Sequence, residues 1–79
     1  MAPNSLHLIV LCTCPDQETA ERLANDAVAQ RLAACVNIVA GVTSVFQWQG
    51  TIDREQEVLL LAKTSRSAYG ALESLWKSL

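Results

Sequence analysis

Between Leu11 and Val36 the chain passes from a cysteine-bearing extended run, through an amphipathic helical stretch, into a second cysteine-bearing extended run. This change of hydrophobic period constrains the fold more than any other feature, because a two-residue repeat and a 3.6-residue repeat bury different faces and cannot be exchanged. Leu6 to Thr13 is a nearly continuous aliphatic run, which predicts a strand covered on both faces. Pro15 stops that strand, and Asp16 is placed to accept the first free amides of a helix beginning near Gln17. Ala20, Leu23, Ala24, Ala27, Val28 and Leu32 then recur at three- and four-residue steps, the pattern of a surface helix packed on a sheet.

The rest of the chain repeats the alternation. Cys35 to Val39 is β-branched and apolar and continues through Ala40-Gly41 into Val42 to Trp48, so Gly41 predicts a bulge or kink within one long strand. Gly50-Thr51 and Asp53-Arg54-Glu55 are polar and turn-prone, and Glu57 to Thr64 predicts a third strand in a hairpin with the second. Thr64 or Ser65 is suited to cap a last helix whose inward positions are Ala68, Leu72, Leu75, Trp76 and Leu79. The order predicts an α+β, ferredoxin-like βαββα(β) sandwich, an antiparallel sheet with two helices on one face and its final strand missing. Residues 1–79 are expected to form a single domain truncated at its C-terminal end, with one edge of the first strand open or closed by another subunit.

A chain of 79 residues buries only roughly 60 to 65% of its unfolded surface. Because 51% of the residues are apolar, self-association is the simplest use for the surplus. The net charge of −2 and pI near 5.1 provide no basic field for nucleic acid. No apolar stretch reaches the roughly 20 residues a membrane helix needs, and MAPNSLHLIV carries neither a basic n-region nor a cleavage-like site, so a cytoplasmic location is expected. Three cysteines in such a compartment are read as free thiols.

Cys12 and Cys14 are two residues apart in an extended segment, so both sulfurs project from the same face. Two thiolates on one side make a soft site suited to Cu(I), although free cysteine is also an ordinary small core residue and CxC is a weak motif. Pro15 fixes the backbone beside Cys14, for which a structural role is the alternative to ligation. Cys35 is expected to fill the core beneath the first helix, and His7, of opposite parity to Cys12 and Cys14, to lie at the surface. No Cys-His catalytic pair emerges, and Asp16, Glu18 and Glu21 are accounted for by capping and the helix dipole. Gly41 and Gly50 are isolated and form no phosphate-cradling loop; Lys63 and Arg66 are two separated charges that suggest an anion site only weakly. Phe46 and Trp48 share parity and suggest a subunit interface.

The segments LCTCPDQETAERLA, RLAACVNIVAGVTSVFQWQG and EVLLLAKTS resemble, in order and spacing, the divalent-cation tolerance family called CutA, and together they cover most of the chain. The resemblance implies a ferredoxin-like subunit in a tight cytosolic homotrimer, linked to tolerance of copper and other divalent cations, with an architecture similar to that of the PII-type signalling trimers. It also implies that Cys12 stands at the position of a proposed copper ligand, joined in some members by histidines just after the second helix; the sequence to Leu79 contains no such histidine. The expected function is therefore a non-enzymatic, metal-binding tolerance protein with Cys12 and Cys14 as candidate ligands. The alternative is a PII-like signalling or scaffold trimer that binds a small ligand or partner protein.

Overall fold

The computed structural model describes residues 7–78, so the readings made for Leu6 and Leu79 lie outside it. Its elements are β1 (His7–Cys14), α1 (Gln17–Ala29), β2 (Cys35–Trp48), β3 (Thr51–Ser65) and α2 (Arg66–Ser78). The strands form one antiparallel sheet in the order β1-β3-β2. This is the ferredoxin-like order as far as the described residues carry it, and the outer edge of β1 has no strand beside it among them.

Asp16 caps α1 as expected, its carboxylate accepting from the Thr19 amide at 2.7 Å. Local chemistry also sets the end of this helix. The Leu32 amide donates to the Ala27 carbonyl and the Arg31 amide to the Val28 carbonyl, the paired bonds of a Schellman motif. Arg31 occupies its left-handed position at φ 59°, where glycine is the usual residue. At the start of α2, Ser65 Oγ accepts from the Ala68 amide, while Thr64 Oγ1 donates instead to the Leu32 carbonyl.

Both helices cover the face of the sheet that carries the even-numbered residues of β1 and β3. Cys14, Ala20, Leu23, Ala24, Val58 and Leu60 form one buried cluster, and Ala27, Ala33, Ala62 and Leu72 a second. Trp76 packs against both and donates its indole N–H to the Leu23 carbonyl at 3.1 Å, tying α2 to α1.

The opposite face is open. Ile9 and Leu11 are 67% and 63% exposed, which corrects the expectation that β1 is covered on both sides: both helices lie on one face, and among the described residues no second layer covers the other. Cys35 is also relocated. It pairs with Lys63 and is half-buried on this open face, because Val36, paired with Ala62, takes the inward position instead. Val28, expected in the core, is partly exposed at the last turn of α1.

The hairpin is longer than predicted. Gln49 and Gly50 both have positive φ, 50° and 82°, so a two-residue turn of the type that matches strand twist joins Trp48 directly to Thr51. The polar stretch Asp53-Arg54-Glu55 therefore belongs to β3, in a solvated two-stranded ribbon beyond the helices. The bulge expected at Gly41 is present: the register shifts between Val39 and Val42, and Gly41 has φ 78°. After the shift Val42, Ser44 and Phe46 align with Glu57, Glu55 and Asp53, and Ser44 Oγ donates to the Glu57 carboxylate.

Candidate functional site

Cys12 and Cys14 lie at the C-terminal end of β1, paired with Leu60 and Val58 of β3, and both project from the helix-covered face. Strand geometry puts their Cα atoms about 6.6 Å apart with parallel side-chain directions. Their surroundings differ. Cys12 is half-buried and lines a groove of about 250 Å³ between β1 and α2, together with Val10, Tyr69, Leu72, Glu73 and Trp76. Its thiol lies 3.8 Å from the Thr13 carbonyl as a weak donor. Cys14 is 1% exposed, at the base of the core cluster under α1.

That burial has an electrostatic consequence. Loss of hydration pushes the Cys14 thiol up to about 11, and the neighbouring Cys12 adds to the effect, with smaller contributions from Asp16 and Glu57. A metal ion recruiting Cys14 must therefore displace a proton that the folded protein holds tightly, since the thiolate is the ligating form. Cys12, at the groove, is the more accessible sulfur.

The strand parity reading brings the two thiols to one face and sends His7 to the other, where it is exposed and pairs with Ser65. Cys35 is on the open face and joins neither thiol. What the sequence reading missed is the contribution of α2. Tyr69, Glu73 and Lys77 recur at four-residue steps beside the buried Leu72 and half-buried Trp76, and this polar stripe forms the outer wall of the Cys12 groove. The Tyr69 hydroxyl donates to Glu73 Oε2 at 3.4 Å and Lys77 Nζ lies 3.6 Å from the same oxygen. Among the described residues no three His, Cys, Asp or Glu side chains gather around one point as a multidentate cation site would require. No described helix is long and apolar enough to cross a membrane.

Comparison with known proteins bears on the family and the fold. The model of the family described as CutA1 divalent ion tolerance protein matches residues 8–79. A divalent-cation tolerance protein CutA of Thermus thermophilus is 48% identical over 71 residues, which span 90% of this chain and 69% of the relative. The crystal structure of CutA1 from Oryza sativa superposes with a TM-score of 0.89 at 40% identity, covering 92% of this chain and 67% of that one. A structure from Archaeoglobus fulgidus, described as a periplasmic divalent cation tolerance protein CutA, gives 0.86 at 33% identity, over 92% of this chain and 71% of the other. With nearly its whole described length matched by the family model and by a relative at 48% identity, the chain belongs to the CutA1 divalent ion tolerance family.

Proposed function

We propose that this protein is a cytoplasmic homotrimer that contributes to metal tolerance by binding copper through a Cys12-centred site, without catalytic turnover. The observation that carries the reading is the pair of thiols on one face of β1, one lining a groove and one directly behind it in the core. Cys12 is the entry ligand and Cys14 the second sulfur, which suits Cu(I), an ion that prefers sulfur and accepts few ligands. Other divalent cations are weaker candidates for the same pair because they favour additional nitrogen or oxygen donors, and among the described residues Glu73 is the one carboxylate in the groove, already engaged by Tyr69 and Lys77.

Assembly is supported by the open sheet face. Ile9, Leu11 and Val39 are exposed there, with Leu59 and Leu61 in the same rows, a contiguous apolar surface of the kind buried between subunits. A trimer built on this face leaves the helix side, and with it the Cys12 groove, directed outward.

The test is a competitive Cu(I) titration under reducing conditions of the protein and its Cys12→Ser variant, with oligomeric mass followed in the same samples. Tight binding that is lost in the variant while the assembly persists supports the proposal. Equal or negligible binding by the two proteins refutes the thiolate site.

A further inference from the structure

A larger cleft lies away from the thiols, where the C-terminal turn of α1, the first residues of β1 and the β3–α2 junction meet. Its volume is about 790 Å³, within the roughly 300 to 1,000 Å³ typical of small-molecule sites. The floor and walls are largely apolar, with Leu8, Val28, Leu32 and Ala68 among them. Among the described residues the charged side chains that line it are Arg31 and Lys63, with the His7 imidazole beside them, and no Asp or Glu joins them. This runs against the balance of a chain that carries eight Asp and Glu against six Lys and Arg.

The walls are held in place by the fold. Thr64 Oγ1 donates to the Leu32 carbonyl at 2.5 Å, and the Ala34 amide donates to the Lys63 carbonyl at 2.8 Å, so the α1–β2 connection is fastened to β3 across the cleft. Arg31 occupies a left-handed position where glycine is conformationally easier, and a cation in the cleft wall is what the arginine adds there. Val28 is 43% exposed at this wall although it lies on the α1 stripe that otherwise enters the core.

We propose that this cleft binds an amphipathic organic carboxylate, its head held by Arg31 and Lys63 and its apolar body lodged against Leu8, Val28 and Leu32. A carboxylate is favoured over a phosphate ester because the lining contains no glycine and no glycine-rich run of backbone amides that would cradle three oxygens. The site is separate from the Cys12 groove, since the two share no lining residue. Its test is therefore independent of the copper reading, while Ile9 and Lys63 set the mouth of the cleft at the margin of the open sheet face on which the proposed trimer is built.

The experiment is a titration of the isotopically labelled 79-residue protein with octanoate, followed by amide shifts, with 1-octanol and acetate as controls for the body and the head. Saturable shifts centred on Val28–Ala34 and Lys63–Ala68, with octanol and acetate binding far more weakly, are the expected result. Arg31→Gln and Lys63→Gln each weaken octanoate about tenfold, the effect of removing one charge-assisted contact. Val28→Glu, which places a carboxylate in the wall, abolishes saturation. The proposal is overturned by absence of saturable octanoate binding, by octanol binding as well as octanoate, or by shifts centred on Val39, Leu59 and Leu61 of the open sheet face.

Discussion

Replacing Cys14 by alanine should remove a loss of stability that the native protein undergoes in alkali. The folded protein holds the Cys14 proton more tightly than the unfolded chain does, because the buried thiolate lacks hydration and lies beside Cys12. Below the ordinary thiol value of 9.0 the group is protonated in both states and has no pH-dependent effect on folding. Between 9.0 and about 11 the unfolded chain releases the proton while the folded protein keeps it, so the favourable contribution is lost progressively as the pH rises. A difference of about 2 pH units, at about 1.4 kcal/mol each, amounts to about 3 kcal/mol. That is a large share of the roughly 4 to 12 kcal/mol expected for a domain of this length. Urea unfolding of the native protein and of Cys14→Ala, at matched concentration from pH 7 to pH 11, measures it. All other side chains are common to the two proteins, so the difference between the two curves reports Cys14 together with its coupling to Cys12. By pH 11, where the folded thiol is itself half-titrated, the native protein should have lost about 2 kcal/mol more than the variant; parallel curves would refute the assignment of Cys14 as a buried, proton-retaining thiol.

The core makes a second demand: Leu72 is fully buried between α2 and the sheet, and Leu72→Ala should cost about 2 to 5 kcal/mol in chemical denaturation. Trp76→Phe should cost about 1 kcal/mol, chiefly through the indole bond to the Leu23 carbonyl, and Trp76→Leu should cost more because it also removes packing shared by both core clusters. Asp16→Ala should lower the melting temperature at pH 7 and leave it unchanged in strong acid. The Thr19 amide holds the Asp16 carboxyl below its ordinary 3.8, so the cap's contribution is present above that value and lost as pH falls through the lowered one; circular dichroism melts at pH 7 and pH 2 test this. Leu11→Glu on the open sheet face should reduce the mass found by sedimentation equilibrium while the far-ultraviolet spectrum of the subunit is retained.

Much of this architecture was legible because it depends on local rules. The cap at Asp16 needs only a carboxylate two to three residues before free amides, and the α1 stripe of Ala20, Leu23, Ala24 and Ala27 needs only the helical repeat. The shared face of Cys12 and Cys14 needs only strand parity, and Gly41 marks its bulge because few other residues take a positive φ without cost. The hairpin turn was less legible. Gln49-Gly50 is a two-residue signal, and the polar Asp53-Arg54-Glu55 run outweighs it when composition alone is read, although a solvated ribbon tolerates polar residues on both faces. The Glu73 side of the Cys12 groove was invisible because α2 and β1 are far apart in sequence and meet only in the folded chain.

The order of elements, their caps, and which residues of each share a face follow from periodicity and from short-range hydrogen bonding, both of which are local properties of the chain. Tertiary structure alone decided which face of the sheet the helices cover, and that choice set the fate of every thiol. It put Cys14 in the core and Cys12 on a groove, and the strand pairing put Cys35 on the open face opposite Val36. It also gathered Arg31, Lys63 and His7 from three separate segments around one apolar cleft. The physical reason is that a side chain's hydration, and with it its proton affinity and availability to a ligand, depends on neighbours brought close by packing, which no local pattern encodes.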